Sequence, residues 1–325
     1  MAVRALVISL VSAVALVSIA SAQQLAPLRS RQRSVEQVEQ PAPAEPFWGG
    51  RVRDGLAAYY PLVGDSGGED HSGAGLHLTL TGEAARLDGR NGLRFDDDGS
   101  AKAESAAGLR DAIVAAQQFS AEVWVKADSA DHGGPARLVT FSQDPWNRNF
   151  MLAADGPDIH IRLRTTTSDD NGAPYFVIPG AVSNQLEHYV LTFAEGVAKL
   201  YRNGELLAED LRGGDLSNWD SSFALALGNE ATNDRHWHGE MYVAALYART
   251  LNPIEVRRNF LAGDNPAQSG STGNQAPDVD AGPDQTIVAP ADTLTLNGAV
   301  ADESSPSVQW SMRNGPGEAI FVDTA

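Results

Sequence analysis

Residues 235–247, RHWHGEMYVAALY, carry His236, His238 and Glu240 at alternate positions. On an extended chain alternate side chains share a face, so the three would project together. Such a trio fits a metal site, half of a hydrolase's acid pair, or the plain surface of a strand. Zinc needs three or four converging ligands in a tetrahedral array, and the other five histidines lie far off in sequence. Glycosidic cleavage with retention needs two carboxyl groups about 5–5.5 Å apart across one bond. Tyr242 and Ala244 stand where further acids on this strand would have to be. The expectation is therefore an exposed edge-strand face beside a buried Trp237.

A second set of residues could bind rather than react. Sugar recognition uses an aromatic platform with a few placed polar groups. Trp146, Tyr175 and Trp219 fall in loop-like segments, and Arg162 and Arg164 could flank them. Trp124 and Trp237 sit in strand-like runs, where aromatic side chains usually pack.

Short strands must position these groups. FSAEVWVKA alternates Phe119, Ala121, Val123 and Val125 against Ser120, Glu122, Trp124 and Lys126. DIHIRLRT alternates Ile159, Ile161 and Leu163 against His160, Arg162 and Arg164. HYVLTFAEGVAKLYRNGELLAED reads as two successive hairpins, turning at Glu195-Gly196 and at Asn203-Gly204, the latter suited to a type I′ turn. Helical periodicity is confined to GLRDAIVAAQ and NPIEVRRNFLAG. Many short strands without βαβ alternation predict an all-β sandwich.

The chain has 325 residues, no cysteine, and 24 basic against 42 acidic residues, a formal charge of −18. That surface repels nucleic acid phosphates and anionic lipid, which argues against both as partners. Residues 1–22 have an early arginine, an apolar run and an Ala-Ser-Ala exit, the pattern of a signal peptide cleaved before Gln23. Export places the protein outside the cell or on its surface, and without disulfides its rigidity must come from its core or from bound cations. Residues 23–47 are rich in Gln, Arg, Glu, Ala and Pro and read as a disordered linker. The predicted sandwich spans 48–263, a Gly/Ser/Pro linker 264–275, and a second, shorter β pattern 276–325.

FSAEVWVKAD, HYVLTFAEGVAKLYRNGELLAE and GEMYVAALYARTLNPIEVRRNFLAG, in that order, resemble successive strands of the laminin G-like, concanavalin A-like jelly roll. SQDPWNRNFMLAADGPDIHIRLRTT and LSNWDSSFALALGNEATNDRHWHGE are similar to a bacterial subset found in large exported proteins. NQAPDVDAGPDQTI through VQWSMRNGPGEAIF resembles the opening of a polycystic-kidney-disease-type, immunoglobulin-like module, cut short at Ala325. The fold implied is a concanavalin A-like jelly-roll sandwich followed by a partial immunoglobulin-like sandwich.

The resemblance also implies chemistry. Laminarinase-type hydrolases of this fold carry an E-x-D-x-x-E strand, which this sequence lacks. Related polysaccharide lyases carry a Q-I-H strand, which DIHIRLR partly resembles; the likeness implies His160 with Arg162 and Arg164 as groups that neutralise a uronic acid carboxylate, but the tyrosine-bearing partner strand is missing. Relatives often hold calcium at the sandwich rim through six to eight oxygens. Asp144, Asn147, Asn229, Glu230 and Asp234 are the donors this implies, with Asp169 and Asp170 as a second group. The expected function is a secreted, non-catalytic adhesion module for a glycan or extracellular protein. The alternative is a polysaccharide-degrading enzyme, or its accessory carbohydrate-binding domain.

Overall fold

The computed structural model describes residues 50–63, 67–87 and 91–265, together with two short strands further on. The signal peptide, the 23–47 linker and nearly all of residues 264–325 lie outside the described residues. One compact unit spans Phe47–Ser271. It begins with β1 Leu56–Tyr60, β2 Thr79–Thr81, β3 Ala84–Arg86, β4 Leu93–Phe95 and β5 Ser100–Ala103, then helix α1, Ala107–Ala116. β6 Phe119–Ala127, β7 His132–Asp144, β8 Asn147–Gly156, β9 Asp158–Leu163 and β10 Phe176–Ile178 follow. β11 Leu186–Ala194, β12 Val197–Arg202, β13 Glu205–Leu211, β14 Ala224–Leu227 and β15 Gly239–Tyr247 complete the strands, and α2, Pro253–Leu261, closes the unit. Outside it, β16 Asp278–Asp280 pairs antiparallel with β17 Ala299–Ala301.

The strands of the main unit form two antiparallel sheets. An eight-stranded sheet runs β13-β12-β11-β6-β15-β4-β3, with β1 also on β15; a seven-stranded sheet runs β10-β9-β8-β7-β14-β5-β2. Side-chain alternation sends Phe119, Val123, Phe141, Phe150, Ile161 and Leu225 into one core between the layers. The two expected hairpins are present, and positive φ at Glu195, Gly196, Asn203 and Gly204 provides their turns.

The outer face of the eight-stranded sheet is not solvent. Trp124, Val190, Tyr201, Val243 and Tyr247 pack there against Leu251 and against Val256 of α2. The helix starts with a capping box: the Asn252 side chain accepts from Ile254 and Glu255 N–H, and Glu255 returns a bond to the Asn252 N–H. β6 is thus covered on both sides, which explains why Glu122 and Trp124, on its polar-looking face, are buried.

β15 corrects one expectation. It is an interior strand, paired along one side with β6 and along the other with β4 and then β1. The helix-free stretch before it, including His236 and His238, is what meets the surface. Gly239 marks the change: a Cβ there would come 2.5 Å from the Lys126 carbonyl and 2.7 Å from the Trp237 ring. Only glycine lets the chain pass over the buried indole into the sheet.

Candidate ligand-binding site

A pocket of about 520 Å³ opens on the outer side of the seven-stranded sheet. Three walls enclose it: residues 128–135, running from the end of β6 into the start of β7, the Pro145–Trp146 turn between β7 and β8, and residues 234–238 leading into β15. Backbone bonds hold the last wall in place. Arg137 N donates to the Arg235 carbonyl (3.1 Å), Asp128 N to that of His238 (3.2 Å) and Trp237 N to that of Gly228 (2.9 Å).

The floor is cationic. Arg137 pairs across the strands with Ala153 and Arg162 with Met151, positions facing away from the core residues Phe150 and Leu152. Buried Glu230 sits between two buried guanidiniums, 2.8 Å from Arg137 Nε and 3.5 Å from Arg148 Nη1. The Ser142 hydroxyl and the Ala231 N–H donate to its other oxygen. Asn171 Oδ1 then accepts from both Arg148 Nε (3.0 Å) and Arg162 Nη1 (2.9 Å), and Arg162 lies 3.9 Å above the Tyr175 ring. Burial, reinforced by neighbouring Arg137, pushes the Arg148 pKa down to about 10. Burial likewise lowers Arg137 and Arg162. Guanidinium pKa values start so high that all three stay cationic at neutral pH.

The mouth carries Trp146, 66% exposed. Asp144 fixes its turn by accepting from the Trp146 and Asn147 N–H groups at 2.7 and 2.9 Å. His132 lines the inner wall at 7% exposure and stacks on Trp237. Burial and then the charge of nearby His238 hold its pKa below the usual value, so its imidazole is neutral at pH 7.

The structure redistributes the residues singled out in the sequence. Trp146 and Arg162 share the pocket. Tyr175, 43% exposed, backs Arg162 instead of lining the pocket, and Arg164 is spent on Asp170 at 2.8 Å. Trp219 is a correction. At 1% exposure it packs among Phe119, Phe141 and Phe150, and its indole N–H donates to the Arg164 carbonyl at 2.8 Å. Its ring has no free face for a ligand. Trp219→Phe is accordingly expected to cost about 1–3 kcal/mol of stability by orphaning that carbonyl, and to leave ligand affinity unchanged in a titration.

The five expected calcium donors are engaged in separate groups: Asp144 accepts from the Asn147 side-chain amide at 2.9 Å. Asn229 is buried, and its Oδ1 accepts from Glu230 and Arg235 N–H groups (both 2.9 Å). Glu230 is held by arginines, while Asp234 bonds Thr232 and Arg235. Asp169 caps the Asn171 and Ala173 N–H groups. Among the described residues, no three His, Asp or Glu side chains gather as a metal-ligating group.

The opening trio also divides. His236 and His238 line the pocket, whereas Glu240 accepts from the Tyr242 hydroxyl and lies across the strands from Arg94 and Lys126. His160 approaches Asp155 at 3.8 Å. Sequence reasoning missed Arg137, Arg148 and His132. The available signal was an arginine set inside an apolar run, PARLVTF, where a charge needs a buried partner.

Comparison with known proteins agrees with this architecture. Residues 97–257 match the laminin G family model described as the concanavalin A-like lectin/glucanases superfamily. No curated protein matches the sequence. Among solved structures, the binding domain of botulinum neurotoxin DC in complex with rat synaptotagmin II is 12% identical, with a TM-score of 0.51 over 64% of this chain and 52% of that one. The same toxin domain in complex with SialylT is 11% identical, with a TM-score of 0.50 over 64% of this chain and 51% of that one. Domain 4 of an extracellular arabinanase from Geobacillus stearothermophilus, in complex with arabinotriose, is 19% identical, with a TM-score of 0.45 over 62% and 96% of the two chains. This chain spans about half the length of the toxin chains, and at 11–12% identity the likeness is one of fold.

Proposed function

We propose that the concanavalin A-like jelly roll of this chain is a non-catalytic module that binds a glycan outside the cell. The observation that carries the reading is the pairing, in one 520 Å³ pocket, of an exposed tryptophan with a guanidinium floor. An indole face covers the C–H face of a sugar ring, and planar donors beside it select hydroxyl or charged substituents. Rigid strands hold both groups, so little ordering entropy is lost on binding. Glycosidic cleavage needs a proton donor opposite a nucleophile or base. Of the pocket's three acids, Asp128 is clamped by Arg94 at 2.6 Å and Asp234 bonds Arg235, which leaves Asp131 as the one acid without an arginine partner there.

In this reading the signal peptide exports the chain, the jelly roll occupies 48–263, and the 276–325 segment begins an immunoglobulin-like spacer within a larger surface protein. No helix among the described residues is long and apolar enough to cross a membrane. Calcium enters the reading only through Asp144, Asn147 and Asp234, the expected donors that keep contact with solvent. A rise in melting temperature with added Ca²⁺, reversed by EDTA, checks that part.

The test of the function is a glycan array probed with the full chain and with Trp146→Ala. At least one glycan is expected to bind, and the variant is expected to lose about tenfold or more in affinity, as for a truncated aromatic hot spot. Binding that ignores Trp146→Ala would move the site elsewhere, and turnover of the bound glycan would replace the module with an enzyme.

A further inference from the structure

We propose that the pocket takes a sugar residue bearing a carboxylate, and that Arg162 receives it. The inference rests on the glycan-binding reading above and adds the class of sugar.

The charge balance of the floor leads there. Arg137 and Arg162 line the pocket, and buried Arg148 joins them through Glu230, the one carboxylate it shares with Arg137, and through Asn171, which it shares with Arg162. Arg148 commits its remaining donors to the Pro145 carbonyl, Asn171 and the Met151 sulfur, and Arg137 turns Nη1 to the Pro135 carbonyl. Arg162 differs. Nη1 serves Asn171, Nε is buried without a partner, and no carboxylate pairs with it among the described residues. Its neighbour Arg164, just past the end of β9, already has Asp170. A guanidinium that is half-buried, oriented by Asn171 and by the Tyr175 ring, and without a directly paired carboxylate, Asp155 and Asp169 acting on it only from a distance, is a preformed donor site for a planar anion.

The mouth narrows the choice of anion. Asp131 and Asp234 stand at the rim of a chain whose net charge is −18. A densely sulfated polymer meets those carboxylates before it reaches the floor, and is repelled. A uronic acid carries a single carboxylate beside an apolar ring face. That residue can lay its ring on Trp146 while its carboxylate meets Arg162.

Calorimetric titration of the full chain tests this. The probes are oligosaccharides of galacturonate, glucuronate and mannuronate, each with its carboxyl-reduced counterpart, and dextran sulfate. At least one uronate should bind about tenfold or more tightly than its reduced form, the scale of hydrogen bonds to a charged group. Arg162→Met should erase that preference with the melting temperature unchanged. Arg162→Lys, which keeps charge and stem but not the fork, should restore part of it, and this second variant carries the test if the first is unstable. Equal affinity for the two members of every pair, a preference that survives both variants, or tighter binding of dextran sulfate overturns the inference. Neutral glycans bound in a Trp146-dependent way would sink the carboxylate and leave the module standing. Absence of binding to these probes and to every glycan on the array would sink both.

Discussion

Glu122→Ala is expected to lower the stability of the jelly roll by about 3–5 kcal/mol, the cost of leaving a buried charge without its partner. Glu122 is wholly enclosed between β6 and α2. Its carboxylate accepts from Arg51 Nε (3.2 Å), Asn259 Nδ2 (2.6 Å) and, at 3.0 Å, bonds His188 Nε2. Arg51 is itself buried and donates onward to the Gly263 carbonyl, so this one carboxylate ties both ends of the unit to the sheet. Removing it strands a guanidinium in apolar surroundings. Urea denaturation measures the loss, and a variant within about 1 kcal/mol of the parent would show that water reaches Arg51 and screens it.

The same network sets a pH dependence with a defined sign. Burial alone would raise the Glu122 pKa, but Arg51, His188 and Asn259 together bring it below the ordinary 4.5. Its stabilising contribution is therefore full above pH 4.5 and is lost as pH falls through the lower native value. Burial holds the His188 pKa below 6.5 against the pull of Glu122. The unfolded chain thus takes up that proton first, and stability begins to fall just below pH 6.5. Both groups act in one direction: the melting temperature should decline from pH 6.5 downward, steepening below 4.5. A melting temperature constant between pH 7 and 4 would contradict the assignment.

Glu230→Ala is the second large effect, again about 3–5 kcal/mol, because two buried arginines lose their shared counter-ion. Here the consequence reaches the site. Arg137 and Arg148 would repel one another, and Arg148 shares Asn171 with Arg162, so the pocket floor should loosen along with the fold. The loss should be the same in calcium and in EDTA, since guanidiniums supply the charge that balances Glu230. A loss that appears only in calcium would return Glu230 to the role of metal ligand. Denaturant curves in the two buffers decide between these.

The strands and the Asn203-Gly204 turn were legible because period-2 alternation and turn chemistry are local properties. The concanavalin A-like resemblance was legible because its motifs come in a fixed order. The site was only half legible. Trp146 stood out as an aromatic residue in a turn and does line the pocket, but Trp219, in an equally loop-like setting, turns inward to fill the core. Local sequence does not say which side of a loop faces the sheet. Glu230 looked like a loop oxygen because its buried partners, Arg137 and Arg148, come from strands more than 80 residues earlier in the chain, and Asn229 because nothing local shows that its side chain turns inward to the Glu230 and Arg235 N–H groups. The covering of β6 by α2 was hidden for the same reason: alternation marks two faces, and only packing tells that both are dry.

The pocket is proposed to hold a sugar without cutting it. Its most direct test is one titration of the full chain with the tightest array glycan, followed by chromatography of the recovered ligand. Saturable heat that is lost in Trp146→Ala, with the glycan recovered at its original length, is the expected result. Shortened or unsaturated products, formed in step with the amount of protein, would contradict it.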